Sequence, residues 1–138
     1  MASKKNVNIA RIMTPKIATV FLHADDTVRA ALELMKAHGY TAIPVLDKND
    51  QYLGAITEGD LLRHVMSVGS TDMRLQEDYR VSSVFRKDFC PPLDISASYE
   101  RITESAMRQN FIPIVDDRGC LCGIVTRRAI IEALSKAD

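Results

Sequence analysis

Arg127 and Arg128 are adjacent and follow Thr126, where a strand-like apolar pattern gives way to a helical one. A helix start offers unpaired backbone N–H groups and the positive end of the helix dipole. Arginines there oppose the dipole. They become favourable when an anion such as a phosphate arrives, because a guanidinium can contact it bidentately. The bland alternative is that both are solvated or pair with carboxylates. Thr57, Glu58 and Asp60 open a similar helix earlier in the chain. The Thr57 hydroxyl can cap that helix or bind a phosphate oxygen. Other chemistry is thin. Cys90, Cys120 and Cys122 read as structural, and Cys120-x-Cys122 is too close for the usual C-x-x-C spacing. His23, His38 and His64 lie apart with no ligand spacing. Glu58, Asp60 and Asp88 are a weak metal set, and no H-E-x-x-H, P-loop or G-x-G-x-x-G occurs. The expectation is no catalytic residue, no metal and no cofactor.

The elements that must carry these residues are bounded by composition. The chain has 138 residues, 46% of them hydrophobic, with 18 Lys plus Arg against 18 Asp plus Glu. That mix can bury a core and argues against disorder. Zero net charge argues against broad binding to nucleic acid or acidic membranes. No apolar run approaches the roughly 18 residues of a membrane span. The start, Met-Ala-Ser-Lys-Lys-Asn, lacks the apolar stretch of a secretory signal. An odd cysteine count suits a reducing cytoplasm.

An internal repeat organises the rest. Ile43-Pro44-Val45 recurs as Ile112-Pro113-Ile114, and Gly54-Ala-Ile-Thr57 as Gly123-Ile-Val-Thr126, each 69 residues later. Upstream, Ile12-Met13 aligns with Val84-Phe85 at an interval of 72, so the second copy is three residues shorter before Pro113. The copies run over 7–66 and 80–138, with 67–79 as linker. The first copy predicts a strand from Ile17 to Leu22, then a helix with Val28, Ala31, Leu32 and Met35 on one face, ended by Gly39. Strands at Ala42–Leu46 and Tyr52–Thr57 follow, then a helix with Leu61, Leu62, Val65 and Met66 inward. The second copy predicts a helix with Tyr99, Ile102 and Ala106 inward. Strands follow at Phe111–Val115 and Cys120–Thr126, then a helix with Ile130, Ile131 and Leu134 inward. One such unit of about 60 residues is small for a stable core, whereas two can bury their sheets together and leave two related clefts.

Met13-Thr14, an amphipathic helix, Gly-x-x-x-Ile-Pro-Val-Leu-Asp and Leu-Gly-x-Ile-Thr-x-x-Asp-Leu-Leu together resemble the CBS domain. The resemblance covers nearly the whole chain as a tandem pair. It implies an α/β (α+β) fold, two β-α-β-β-α repeats packed as a pseudo-two-fold Bateman module. It also implies that Thr-x-x-Asp turns bind adenosine ligands, the Asp taking the ribose. One implied cleft holds Lys16, Ile17, Ala18, Tyr40, Thr41, Ala42 and Pro44 with Thr126, Arg127 and Arg128. Its Asp position is Ala129, a departure from the usual ribose contact. The other holds residues 88–92, including Cys90, and residues 110–112, including Ile112, with Thr57, Glu58 and Asp60. It reads as weak or empty, because Glu58 is acidic there and Pro91-Pro92 stiffens the first strand.

Gly39-Tyr-Thr-Ala-Ile-Pro-Val-Leu-Asp47 and Gly123-Ile-Val-Thr-Arg-Arg128 look in particular like the stand-alone cyclic-di-AMP-binding CBS proteins of Gram-positive bacteria. That implies a small-molecule nucleotide with two phosphates near Arg127, Arg128 and Lys16, and a base near Ala18 and Thr41. It further implies a homodimer, with Leu34, Met35, Met66 and Ile131 as candidate surface, although ordinary core is the simpler role for each. A regulated partner follows too, a (p)ppGpp synthetase or pyruvate carboxylase by resemblance alone. The expected function is therefore a non-enzymatic cyclic-di-AMP sensor. The alternatives are an AMP, ADP or ATP sensor and a ligand-free interaction module.

Overall fold

The computed structural model describes residues 8–137. Its helices are α1 (Ile9–Ile12), α2 (Val28–His38), α3 (Glu58–Val68), α4 (Tyr99–Ala106) and α5 (Arg127–Ala137). Its strands are β1 (Thr14–Pro15), β2 (Leu22–His23), β3 (Ala42–Leu46), β4 (Tyr52–Thr57), β5 (Arg86–Lys87), β6 (Leu93–Asp94), β7 (Phe111–Val115) and β8 (Leu121–Thr126). They form two four-stranded sheets, ordered β1-β8-β7-β6 and β2-β3-β4-β5. The fold is mixed α/β.

Two compact units result, and neither coincides with one sequence repeat. The first joins residues 8–19 with residues 90–137, and the second spans Val20–Phe89. The reason lies in two glycines. β1 pairs antiparallel with β8, placing Pro15 opposite Gly123, while β5 pairs with β4, placing Lys87 opposite Gly54. A Cβ built on Gly123 would lie 2.2 Å from the Thr14 carbonyl, and one on Gly54 would lie 2.3 Å from that of Arg86. Each glycine thus admits a strand donated by the opposite repeat. The donated segments also bury apolar side chains. Ile9 packs with Leu93, Ile102, Ile112, Ile114, Val125 and Ile130, while Val81 and Phe85 join Leu22, Val28, Ile43, Val45 and Ile56.

Local chemistry explains the elements. Thr27 Oγ1 accepts from Ala30 N at the start of α2, and Gly39 ends that helix in the left-handed conformation (φ 67°). The β3–β4 and β7–β8 turns use one device: Asp47 Oδ1 accepts from the amides of Asn49 and Gln51, and Asp116 Oδ1 from those of Arg118 and Cys120.

Two expectations are corrected, and the expected linker has local structure of its own. The strand expected from Ile17 to Leu22 is a turn of 3₁₀ helix at Lys16–Ala18, with only Leu22–His23 extended. Pro15 cannot donate, and Thr19 Oγ1 bonds back to its carbonyl at 2.9 Å, which curls the chain. The segment 67–79, expected as the linker, carries local structure. α3 runs to Val68, Leu75–Asp78 forms a 3₁₀ turn, and the fully buried Gln76 joins His64 Nε2 (2.7 Å) to the Ser70 carbonyl (2.9 Å). Finally, Leu62, Met66 and Ile131 point outward rather than into the core, being 61%, 72% and 63% exposed.

Gly123→Ala should destabilise the protein by about 1–3 kcal/mol, because the new methyl meets the Thr14 carbonyl, which as paired backbone cannot easily yield. Urea unfolding measures this, and a loss under about 0.5 kcal/mol would contradict the donated-strand account. A pH dependence follows from the turns. Amide bonds from Cys120 and Arg118 hold the Asp116 carboxyl below its ordinary value, and the Ser96 hydroxyl and amide do the same for Asp94. A lowered folded-state pKa stabilises above the ordinary carboxylate range and is lost as pH falls through the lowered values. The melting temperature of Asp116→Asn should therefore fall less steeply than wild type on acidification below about pH 4; parallel curves would exclude the effect.

Candidate functional site

In the first unit the Lys16–Ala18 turn packs against β8. β1 pairs antiparallel with β8, Thr14 on Ile124 and Pro15 on Gly123, so the chain leading into that turn heads away from Thr126, the last residue of β8. Ile17 is 97% exposed. Thr126 Oγ1 accepts from Ala129 N at 3.1 Å and so caps α5. Position 129 supplies no carboxylate, so the turn stays basic.

The two arginines have different surroundings. The Arg128 side chain is 90% exposed and, among the described residues, pairs with Glu132, one helical turn on, at 3.1 Å. Such an exposed i,i+4 pair is weak and easily given up. Arg127 folds back instead, its Nε donating to the Ala106 carbonyl at 2.5 Å while its backbone N–H bonds the Asn110 carbonyl at 3.3 Å. The sequence places Arg127 against the dipole of α5; the structure places its charge at the favourable C-terminal end of α4.

The remaining ligand candidates belong to the second unit. Tyr40 is exposed and stacks on His38, with centroids 5.4 Å apart at 16°. The exposed Thr41 offers its carbonyl to Glu58 N at 3.1 Å. Ala42 is half-buried opposite Thr57, and Pro44 is buried in β3 opposite Ala55.

The Thr57 turn in that unit is differently built. Thr57 Oγ1 accepts from Asp60 N (3.1 Å) and Asp60 Oδ2 accepts from Thr57 N (2.9 Å), a closed capping box. The Asp60 side chain is only 2% exposed, and its Oδ1 takes Arg63 Nη2 at 2.6 Å and faces Arg86 Nε at 3.0 Å. Arg86 lies over the Phe89 ring at 4.0 Å. Asp88 and Cys90 flank that ring with left-handed φ of 62° and 64°, unusual for residues other than glycine. Besides the acidic Glu58, two guanidiniums lie at this turn, both on Asp60. Arg63 was legible as an i+3 partner of Asp60, whereas Arg86 reaches it only through the β4–β5 pairing.

Cys90 and Ile112 lie in the first unit and are buried. Cys90 Sγ donates to the Phe111 carbonyl at 3.2 Å and accepts from Gln109 Nε2 at 3.2 Å. Ile112 is core. Burial, with Asp116 nearby, raises the Cys122 thiol above its ordinary value and makes it a poor ligand or nucleophile. Among the described residues no cluster of His, Cys, Asp and Glu could hold a metal, and no helix is long and apolar enough to cross a membrane.

The repeated strand–turn–helix, donated first strands and capped Thr turns match a known architecture. The chain belongs to the CBS domain family, whose model matches residues 9–67 and 81–136. The crystal structure of CbpB in complex with c-di-AMP superposes with a TM-score of 0.87 at 18% identity, covering 99% of this chain and 89% of that one. The Listeria monocytogenes CbpB protein in complex with c-di-AMP gives a TM-score of 0.79 at 25% identity, covering 94% and 96%. Cyclic di-AMP receptor B of Bacillus subtilis is 26% identical over 125 residues, 91% of this chain and 83% of that protein. The chain spans 20% to 48% of the length of the first curated relatives it matches.

Asp60→Ala opens the capping box and strips a buried acceptor from two arginines. It should cost roughly 2–4 kcal/mol in urea unfolding, and a loss under about 1 kcal/mol would show the carboxylate to be dispensable.

Proposed function

We propose that this protein is a regulatory sensor of an adenine nucleotide, that cyclic-di-AMP is the ligand, and that it acts by binding rather than by catalysis. The observation carrying this reading is the Thr126–Arg128 turn. An eleven-residue helix begins there with two arginines and no carboxylate at the fourth position of the Thr turn, and one arginine sits in an exposed pair. Helix N–H groups, the Thr126 hydroxyl and a mobile guanidinium together suit a phosphodiester. Likeness to the cyclic di-AMP receptor of Bacillus subtilis supports the identity of the nucleotide. Lys16, Ile17 and Ala18, carried beside β8, are the proposed companions, with Ile17 offering apolar surface to a base. The self-satisfied Asp60 supports reading the Thr57 turn as the weaker site.

A sensor of this kind changes a partner's activity only if the partner distinguishes its liganded and free forms. Leu62 and Ile131 occupy the same position of the two repeats and are both exposed, so they are proposed to take part in self-association or partner docking. AMP, ADP and ATP remain the rival ligands, since each needs a base slot and a basic phosphate site.

Isothermal titration with cyclic-di-AMP, AMP and ATP discriminates these. The expected outcome is one cyclic-di-AMP per chain, bound at least about tenfold more tightly than AMP or ATP. Arg128→Gln should weaken it by about tenfold, the loss of one charge-assisted phosphate contact. No heat and no thermal shift with any of the three nucleotides would overturn the proposal.

A further inference from the structure

We infer that Arg127 is a positioning residue that couples the anion site to the C-terminus of α4; this rests on the nucleotide reading above and extends it. The starting observation is the shortened second repeat, in which Ser98 to Phe111 spans 13 residue steps where Thr27 to Ala42 spans 15. The helix of the first repeat, α2, runs for 11 residues and closes with Gly39 in the left-handed conformation. Its counterpart α4 runs for 8, and its C-cap is Met107 in the right-handed helical region. The glycine that normally releases a helix into its next strand is therefore absent.

The amides beyond α4 close on earlier carbonyls: Met107 N bonds those of Thr103 and Glu104, while Arg108 N and Gln109 N both bond that of Ser105. The carbonyl of Ala106 takes the Arg127 guanidinium instead, at 2.5 Å. A helix C-terminus carries partial negative charge and leaves carbonyls to be satisfied from outside. Arg127 supplies what the shortened helix lost. The same residue binds the strand that follows, through its backbone N–H on Asn110. The equivalent residue of the first repeat is Glu58. Its backbone makes the matching bond to Thr41, but its acidic side chain cannot cap a carbonyl.

Capping and anion contact are compatible in one side chain. A guanidinium has five N–H donors, and Nε uses one, leaving four on the terminal nitrogens. Fixing Nε also fixes the plane of the fork before a ligand arrives, so less rotamer freedom is lost on binding. Arg128, paired with Glu132 in solvent, lacks this preparation. The division is an oriented arginine tied to α4 and a mobile one that follows the ligand. Occupancy should therefore be felt at residues 106–110.

Hydrogen exchange of the native protein, read at residues 107–110 with and without cyclic-di-AMP, tests this alongside calorimetry on Arg127→Lys, Arg127→Gln and Arg128→Gln. In the absence of ligand, Arg127→Gln should speed exchange at 107–110 and Arg128→Gln should not. With ligand, the wild type and Arg128→Gln should gain protection there, and Arg127→Gln should not. Arg127→Lys keeps the charge without the fork, and its affinity should fall by roughly threefold to tenfold. Unchanged ligand-free exchange in Arg127→Gln would overturn the cap, and full rescue by lysine would overturn the orienting role. If the wild type binds no nucleotide, the reading above fails and the coupling with it, while the ligand-free comparison still decides whether Arg127 caps α4.

Discussion

The molecule depends on the approach of a donated strand to a bare glycine backbone. At Gly123 the Thr14 carbonyl occupies the space a Cβ would need, and at Gly54 the Arg86 carbonyl does the same. Each contact completes a sheet, brings apolar anchors into a core, and sets residues of one repeat against a sheet of the other. Lys16–Ala18 reach β8, and Arg86 reaches Asp60, through these two crossings. A larger side chain at either glycine would remove more than packing, since it would move the residues that define the turn.

From this shared frame the two turns diverge by electrostatics. At Thr57 the fourth residue is a carboxylate, and the fold satisfies it internally with a capping box and two guanidiniums. Its charges are balanced without a ligand. At Thr126 the fourth residue is Ala129, the charges are cationic, and their partners are a carbonyl and one exposed glutamate. An arriving anion has little to displace there. One frame thus yields a neutralised turn and a receptive one, which fits a chain whose overall charge is zero.

Much of this was legible in the sequence because repetition doubles every signal. The Ile-Pro-Val strands, the glycines 69 residues apart and the Thr caps each appear twice, and the strands at 42–46, 52–57 and 111–115 lie where periodicity puts them. The Ile17 segment was not legible, because its apolar run imitates a strand while Pro15 and Thr19 curl it through backbone hydrogen bonds. Nor were the outward faces of Leu62, Met66 and Ile131, since periodicity finds apolar residues without saying which ones the sheet covers. Arg86 and Ala106 were invisible as site neighbours for a different reason. They reach Asp60 and Arg127 through strand register and helix length, which are tertiary facts.

The most direct test of the central claim is a ¹H–¹⁵N NMR titration with cyclic-di-AMP, which reports each backbone amide separately. Binding at the basic turn predicts the largest shifts at Thr126–Ala129 and Lys16–Thr19, with the amides of Thr57–Asp60 scarcely moved. Shifts centred on Thr57–Asp60, or none at all, would contradict it.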